Sequence, residues 1–463
     1  MRNYSIIVLL LFCVVYWIIG ESVLRIDFFQ LQLLGTLGLC QFAFSIYSSL
    51  RTRQKIISPY VIFLFGLYIF SFGQSLLYPF GVISERDLDG FMGISKIDIF
   101  KTQIITLTFL AFFQIGSLMY RKKMKEFHLS SNKYRIENKN LKYIGWLLFS
   151  ASCYAYYNEL ISNAILSLSY GYGALYEVDA KIGIDNVFGI LSDYFIPSII
   201  CLYIAYRTNR KWRLFFILIL GFNSTILLVT GGRSEAVIII ALILVLHNYL
   251  VKPFTRKGLI AIAGSSIFLL TLLTTISQIR SNPNRFLDET YLMEPSDNAA
   301  VNAIGEMGWS MFCLLKTSNI VPAHEDYRYG STYAYAFTSI IPNMGFWEIH
   351  PAKRGANMAD WLSDTLGTSF GTGFSMCAEA YINFGYLGAL IMLFLGYIIS
   401  SFFSSLGISI KVGNIAFATF TLIIFWFSLK MPRNSFLGIV RGVFYFALPV
   451  YWFTRGHIIK SNR

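Results

Sequence analysis

Two arginines stand in tight turns between apolar runs, where a guanidinium is able to bind an anion. Arg233 lies in the segment TGGRSE at 230–235, and Arg433 lies in the segment KMPRN at 430–434. In the first turn, two glycines permit close approach of a ligand to the backbone. We expect Ser234 to cap the following helix, whose free N–H groups favour an anion. The planar fork of Arg233 suits phosphate oxygens. The alternative is a hairpin turn in which it pairs with a nearby carboxylate or a lipid headgroup.

The last apolar run contains two arginines, one of which is the Arg433 already described. Arg433 opens that run, and Arg441 follows eight residues later, which places it about 12 Å deeper along a helix. The two side chains are then about 80° apart, so both can border one cavity. A charge at such depth is costly and normally faces a polar cavity. The alternatives are snorkelling for Arg433 and a structural ion pair for Arg441.

Candidates for a general base are few. Glu379 opens an apolar run, in the segment CAEAYINFGYLG at 377–388. A partly desolvated carboxylate at this place suits a general base; alternatively, it is a helix-start carboxylate favoured by the helix dipole. His324 and, more weakly, His350 are the other candidates, because both lie in the same long loop between apolar runs.

Further candidates for substrate contact lie in the loop. Arg280 directly follows an apolar run and should sit at the membrane surface, and Arg354 lies farther along the loop. Most loop charges are merely solvated, so both compete with that simpler interpretation. The stretch YRYGSTY at 327–333 is able to stack on sugar faces, but an ordinary loop hinge explains it equally well.

Composition indicates an all-α membrane protein. Of 463 residues, 55% are hydrophobic and 14% are charged, against about 25% charged in soluble domains. Apolar runs of roughly 20 residues recur along the chain, and each is long enough to cross a bilayer as a helix. The six cysteines lie mostly in apolar runs and show no CxxC spacing. Without a metal, nucleotide or dinucleotide motif, we expect no cofactor and no bound metal.

The sequence predicts about twelve spans, each long enough for a membrane helix. They lie near 4–20, 28–50, 57–79, 99–120, 141–163, 187–206, 214–230, 235–251, 258–277, 377–404, 413–430 and 436–454.

The net charge of +13 is distributed as an orientation signal. Basic residues concentrate in short segments that follow even-numbered spans, so both termini are expected in the cytoplasm. This distribution speaks against a nucleic-acid partner. The turns around Arg233 and Arg433 and the segment 278–376 then face outward. We therefore expect three parts: spans 1–9 in residues 1–277, a large outer loop at 278–376, and spans 10–12 with a cytoplasmic tail in 377–463. Within the loop, short helices are expected at 298–318 and 355–366.

Four sequence features resemble the Wzy-type repeat-unit polymerases, which assemble O-antigen and related bacterial surface polysaccharides. They are the GGRSE turn at 231–235, the YGSTY and IPN segments at 329–333 and 341–343, the GTGF segment at 371–374 leading into EAYINFG at 379–385, and RNS at 433–435. The motifs cover the chain from about residue 220 to its end, and the topology covers all of it.

The resemblance implies a metal-independent, inverting glycosyltransferase with a GT-C-like fold in the bacterial inner membrane. Donor and acceptor would be undecaprenyl-diphosphate-linked repeat units in the lipid bilayer, and the active site would face the periplasm. The growing chain would pass to the non-reducing end of a new unit, and a chain-length regulator would be a partner. We expect Arg233, Arg433 and Arg441 to bind the diphosphate, with Glu379 or His324 as base and with Tyr381 and Asn383 contacting substrate.

Two other functions fit part of this pattern. An O-antigen ligase would share the span number, the long outer loop and the donor, but its acceptor would be a lipid A core. A lipid-linked oligosaccharide flippase or other transporter would need a polar path through both halves of the membrane, whereas the ionisable candidates lie near one face. The segments EAYINFG and RNS favour the polymerase.

Overall fold

The computed structural model describes most of the chain. The residues it describes are 2–22, 26–52, 55–81, 94–120, 131–170, 184–230, 232–262, 264–265, 299–343, 347–368 and 371–455.

All regular secondary structure in these residues is helical. The first half contains α1 (Arg2–Ser22), α2 (Phe28–Arg51), α3 (Pro59–Phe72), α4 (Lys96–Met119), α5 (Ser131–Tyr170), α6 (Ile184–Asp193), α7 (Phe195–Ala205), α8 (Arg210–Thr230) and α9 (Arg233–Leu250). The second half contains α10 (Ala299–Gly308), α11 (Met311–Ile320), α12 (Ser331–Thr338), α13 (Pro351–Ala356), α14 (Met358–Leu366), α15 (Met376–Phe384), α16 (Gly388–Val412), α17 (Ile415–Ser428), α18 (Leu437–Arg441) and α19 (Leu448–Arg455). Short 3-10 turns lie at Tyr78–Phe80, Gly385–Leu387 and Met431–Arg433, and a π-helix lies at Gly442–Ala447.

The prediction of an all-α, multi-pass membrane protein is confirmed. Within the described ranges, eight helical segments are long and apolar enough to cross a membrane, and Pro59–Phe72 and Ser234–Leu250 are shorter apolar helices. The predicted span 141–163 lies inside the 40-residue helix α5. The predicted span 258–277 begins in helical residues 256–262, and most of its remainder lies outside the described residues. The number of twelve spans therefore stays a prediction.

The chain packs as two compact units built from interleaved segments. The first unit comprises Met1–Lys123, Val301–Ser404 and Ser428–Val440, and the second comprises Met124–Ala300, Ser405–Phe427 and Arg441–Arg463. These units are defined by packing, so the predicted division into 1–277, 278–376 and 377–463 stays a prediction.

In the first unit, apolar helices enclose hydrogen-bonded polar side chains. The Gln41 amide accepts from the Tyr16 hydroxyl at 2.6 Å and donates to Tyr68 at 3.0 Å. Gln114 accepts from Tyr60 at 2.6 Å and donates to Ser48 at 2.8 Å. Such groups are costly in an apolar interior unless they are paired. Helices α4 and α16 also approach closely, because Gly116 and Gly396 leave no room for a Cβ against the facing backbone.

The predicted outer loop, residues 278–376, contains short helices at the two places where the sequence predicts them. The stretch 298–318 corresponds to α10 and α11, and the stretch 355–366 corresponds to the end of α13 and to α14. Helix α11 buries Met311, Leu314 and Leu315, and it packs against α3, α4 and α15. Part of the predicted outer cap is therefore a core element of the first unit, since α11 carries an apolar face that needs a partner.

The second unit is organised around the long helix α5. Aromatic contacts join it to α7 and α8: the Tyr156 ring stacks on Phe195 at 4.1 Å, and Trp146 meets Trp212 at 5.4 Å. At one end of α5, the buried Glu137 carboxylate accepts the backbone N–H groups of Ile415 and Ala416 at 3.0 and 3.3 Å. It thereby satisfies free donors at the start of α17.

Candidate functional site

Glu379 is a buried carboxylate in the first turn of α15. That helix starts after Ser375, whose hydroxyl accepts the Ala378 N–H at 3.1 Å as an N-cap. Only 1% of Glu379 is exposed. Its Oε1 accepts from the Thr332 hydroxyl at 3.0 Å, and its Oε2 accepts the Phe436 backbone N–H at 2.5 Å. Both oxygens therefore have donors, as a carboxylate in an apolar interior requires.

Asn383, one helical turn later, extends the same network. Its amide nitrogen donates to the Thr332 hydroxyl at 2.7 Å and to the Glu379 backbone carbonyl at 2.8 Å. Its amide oxygen accepts the Gly330 N–H at 2.8 Å. We call Glu379, Thr332, Asn383, Gly330 and the Phe436 N–H the Glu379 clamp. Since Asn383 is fully buried, its amide positions the loop before α12.

The clamp also closes the end of α15. The last carbonyls of a helix lack partners within the helix. Here the Arg328 N–H donates to the Ile382 carbonyl at 2.9 Å, and the Tyr329 N–H donates to the Asn383 carbonyl at 3.0 Å. The loop that leads into α12 is thus fixed to α15 by backbone bonds as well as by side chains.

Three of the four motif regions meet in the clamp. They are YGST at 329–332, the start of EAYINFG at 379–383, and the backbone that directly follows RNS at 433–435. Around them, Leu437 and Val440 pack with three buried alanines of α12 and α13, Ala336, Ala352 and Ala356. The clamp and its surroundings belong to the first unit.

Tyr333 lies directly beside the clamp. Its ring meets Phe436 edge to face at 5.3 Å. Its hydroxyl is buried without a hydrogen-bond partner in the described part of the chain. Burial, and then the nearby charge of Glu379, raise the pKa of Tyr333 well above its ordinary value. The Tyr333 hydroxyl therefore stays protonated in the folded protein.

Arg433 is exposed on a short rigid turn. It ends the 3-10 turn Met431–Arg433, which has Pro432 in its first turn, and its N–H donates to the Lys430 carbonyl at 3.1 Å. Burial raises the pKa of the Cys313 thiol to about 12, and the nearby Arg433 charge opposes that rise. The guanidinium therefore lies close to α11, within the first unit.

Arg441 is exposed at the point where α18 gives way to a π-helix. A Cβ on Gly442 would lie 2.5 Å from Phe427 Cγ. The Tyr194 hydroxyl donates to the Tyr445 carbonyl within the π-helix at 2.6 Å. These second-unit contacts fix the wide turn that follows Arg441, and π-helical turns are frequent at functional sites.

The start of α9 corrects one detail of the sequence analysis. The helix begins at Arg233 with Gly232 as its N-cap, and the Ala236 N–H donates to the Gly232 carbonyl at 3.1 Å. Ser234 therefore lies inside the first turn and is not the cap. Glycine is itself acceptable at an N-cap, so the helix starts earlier than expected. Gly231 and the Arg233 side chain lie outside the described residues.

The sequence also matches a known protein family. The sequence profile of the O-antigen polysaccharide polymerase Wzy family matches residues 1–455. The chain belongs to the Wzy family. No curated protein and no solved structure gives a significant match. The resemblance inferred from the motifs is thereby confirmed, and it extends over nearly the whole chain.

Membership in the Wzy family defines the activity at a general level. Its members are O-antigen polysaccharide polymerases, so this multi-pass membrane protein is a polymerase that acts on lipid-linked oligosaccharide. The family match does not by itself assign roles to single residues, which rest on the geometry.

The other residues predicted to act in the site of this Wzy chain differ in their exposure and in their contacts. Arg354 is exposed on α13, and His324 is exposed in the turn after α11. His350 accepts the Ala352 N–H at its Nδ1, 3.1 Å away, so its Nε2 donates to the Ile341 carbonyl at 2.8 Å. It is therefore the N-cap of α13. Tyr381 is 4% exposed, and Arg280 lies outside the described residues.

The described residues contain neither a cluster of metal ligands nor a disulfide. Within the described ranges, no group of three or more His, Cys, Asp or Glu side chains is arranged to hold a metal ion. All six cysteines are free thiols.

Sequence reasoning missed two features of this site. Thr332 is the centre of the clamp, because its hydroxyl bonds both Glu379 and Asn383. The spacing of Glu379 and Asn383, one helical turn apart on one face, was the available signal for a shared partner. The π-helix after Arg441 has no sequence signal beyond Gly442.

Proposed function

We propose that the chain polymerises undecaprenyl-diphosphate-linked repeat units into O-antigen or a related polysaccharide. The growing chain leaves its lipid diphosphate and is transferred to the non-reducing end of a newly delivered unit. The reaction takes place on the outer leaflet of the bacterial inner membrane, with both termini in the cytoplasm. A chain-length regulator is the partner expected from the family. What supports this proposal is the family match together with the placement of Arg433.

The reaction requires cations that stabilise the leaving diphosphate and a base that accepts the hydroxyl proton. An acceptor hydroxyl oxygen attacks the anomeric carbon of the donor sugar, and the bond from that carbon to the diphosphate oxygen breaks. The lipid diphosphate leaves with the electron pair, and the hydroxyl proton passes to a base. Attack opposite the leaving group inverts the anomeric centre. Groups that stabilise charge where it develops contribute most to such catalysis.

Arginine side chains supply those cations without a metal ion. Arg433 is exposed on a turn whose following backbone is held by the buried Glu379, so the turn that carries its guanidinium is anchored. Arg441 is exposed beside a fixed π-helix, and Arg233 begins α9. We assign diphosphate binding to these three residues. Arg354 and Arg280 are secondary candidates for contact with the substrate.

The buried clamp favours a positioning role for Glu379. A general base must reach the proton that it removes, whereas both Glu379 oxygens already accept protein donors at 1% exposure. We therefore assign Glu379 and Asn383 to holding the loop 328–332 and the Arg433 turn, and we leave the base to His324, which is exposed. The base role of Glu379 predicted from the sequence is the alternative.

Substitution of Glu379 by glutamine decides between these roles. The amide keeps an acceptor for Phe436 and keeps nearly the same volume, so a positioning residue should retain most activity. Loss of a general base instead costs about 10²-fold to 10⁴-fold. The measurement is the rate of polymer formation across pH, with Glu21→Gln as a matched control, because Glu21 is exposed on α1 and takes no part in the clamp. A loss within that range, together with a lost pH limb, would return the base role to Glu379.

The polysaccharide profile of a strain lacking the gene tests the proposed function. With a polymerase missing, the gel ladder should collapse to core plus a single repeat unit, because flipping and ligation continue. Complementation with the intact gene should restore the ladder. Loss of every repeat-bearing band would contradict the proposal, and accumulated lipid-linked polymer would then identify a ligase.

A further inference from the structure

Tyr329 has a backbone conformation that tyrosine rarely adopts. Its φ angle is +47°, and it is the one residue other than glycine with positive φ in the described part of the chain. The left-handed region is unfavourable for bulky side chains, whereas glycine adopts it at no steric cost. The fold therefore carries a local conformational cost at this residue.

The surrounding bonds impose this conformation. The N–H groups of Arg328 and Tyr329 are fixed to the end of α15 at 2.9 and 3.0 Å, and the Gly330 N–H is fixed to the Asn383 side chain at 2.8 Å. Three consecutive N–H groups thus hold the turn. Strained residues persist where the surroundings over-determine them, and they are concentrated at functional sites.

Packing does not offset the cost, because the Tyr329 side chain is directed outward. The residue is 75% exposed, the most exposed of the tyrosines in the described ranges. A glycine would fit the same backbone with less strain and would lose little burial. Burial within the chain therefore does not explain why a tyrosine occupies this position.

Three more tyrosine rings form a series of contacts that starts at Tyr329. The Tyr327 ring lies 6.3 Å from Tyr329 and 6.3 Å from Tyr381, and Tyr381 lies 6.0 Å from Tyr386. Tyr386 is 60% exposed. Asp326, next to this group, is also exposed. The result is a surface of aromatic faces and phenol hydroxyls, and an exposed carboxylate directly precedes it in the chain.

We propose that Tyr329, with Tyr327 and Tyr386, forms a stacking subsite for the sugar rings of the lipid-linked repeat unit. Pyranose rings present C–H faces that pack on aromatic rings, and their hydroxyls bond to phenols and carboxylates. An anionic lipid headgroup fits less well, because Asp326 would repel it. The proposal rests on the proposed function, since the family supplies a saccharide substrate.

Four variants test the subsite. Tyr329→Gly removes the ring and relieves the backbone; Tyr329→Leu keeps the strain and the apolar bulk but removes the ring; Tyr329→Phe keeps the ring. Tyr154→Leu is a matched control, because Tyr154 is 72% exposed on α5 in the second unit. Each variant is expressed in the strain lacking the gene, and the polymer yield per protein molecule is measured. Its thermal unfolding and its affinity for the soluble repeat-unit oligosaccharide, released from the lipid, are also measured.

The subsite predicts a specific order among these variants. Tyr329→Gly and Tyr329→Leu should each lower the polymer yield and the oligosaccharide affinity at least about tenfold, which corresponds to about 1.4 kcal/mol. The yield and the affinity of Tyr329→Phe should exceed those of Tyr329→Leu by a similar factor. Tyr329→Gly should unfold at the same temperature as the wild type or higher. Normal yield in Tyr329→Leu would indicate an apolar membrane contact and overturn the subsite, as would normal yield in Tyr329→Gly or a Phe variant no better than Leu. Failure of the proposed function shows separately in the strain lacking the gene, as an intact ladder or as the loss of every repeat-bearing band.

Discussion

The Glu379 carboxylate accepts the Phe436 backbone N–H at 2.5 Å, and Phe436 follows Arg433 by three residues. The other Glu379 oxygen accepts from Thr332 in a different segment of the chain. One buried carboxylate thus joins the start of α15, the first turn of α12 and the backbone that follows the Arg433 turn. Because this backbone is attached to the core, the turn that carries the cation has a defined place before substrate arrives.

Removal of the Thr332 hydroxyl should destabilise the first unit. Thr332→Val keeps the shape but leaves Glu379 Oε1 and the Asn383 amide with fewer partners. An unsatisfied buried polar group costs about 1–3 kcal/mol, and more when it is charged. The measurement is thermal unfolding in detergent. Thr338→Val is the matched control, because Thr338 is a half-buried residue of the same helix whose hydroxyl bonds its own helix backbone rather than the clamp. Equal unfolding temperatures for the two variants would contradict the clamp.

A Cβ at Gly385 should disturb the tyrosine group. Gly385 has φ +56°, and a Cβ there would lie 2.7 Å from the Tyr327 hydroxyl oxygen. Gly367 has φ +62° with nothing within 4 Å of its Cβ position. Gly367 has ψ 32°, in the left-handed helical region, whereas Gly385 has ψ −134°, a region that is nearly restricted to glycine. The difference between the two alanine variants therefore contains this larger backbone strain as well as the contact with Tyr327. We expect Gly385→Ala to lose about 1–3 kcal/mol more stability than Gly367→Ala, together with polymer yield. Equal behaviour of the two variants in unfolding and in yield would rule out this close contact.

The π-helix should be sensitive to a methyl group at Gly442. Alanine at this position would press on the Phe427 ring and displace the turn that follows Arg441. Gly438→Ala is the matched control, with nothing within 4 Å of the added atom. We expect Gly442→Ala to reduce polymer formation at least about tenfold, the loss that follows when a charged group is displaced by about 1 Å. Polymerisation assays of purified variants at equal protein amounts check this. An unimpaired Gly442→Ala would remove the role of the π-helix in placing Arg441.

Chelation should not stop the reaction if arginines supply the cations. Polymer formation by purified protein from lipid-linked units is measured with excess EDTA and again after Mg²⁺ is returned. We expect rates within about twofold of the untreated protein, because guanidinium groups replace a metal clamp on the diphosphate. A loss in EDTA that Mg²⁺ restores would show that a metal takes part.

The sequence was sufficient for the helical class and for the segments that carry the site. Hydropathy located helices such as α1, α2 and α4 within a few residues, because continuous apolar runs of this length leave few alternatives. Glu379 was also correctly placed at a helix start, because the apolar run that it opens begins at residue 377. These successes depend on information local to each segment.

The rest of the site depends on contacts between distant segments. Glu379 meets donors 47 and 57 residues away, and no local pattern reveals that its oxygens are occupied. The positive φ of Tyr329 arises from bonds to the end of α15, so it too is a tertiary property. The helix start at Arg233 was missed by two residues, because both glycine and serine are acceptable N-caps and sequence alone does not choose between them.

The rate at which purified Arg433 variants polymerise lipid-linked repeat units tests the central claim most directly. The account predicts that Arg433→Ala lowers the rate about 10²-fold or more, as expected when a charge-stabilising group is removed, and that Arg433→Lys recovers part of it. Arg51→Ala, at an exposed arginine at the end of α2, should match the wild type. Wild-type rate and full chain length in Arg433→Ala, at normal protein abundance, would contradict the account.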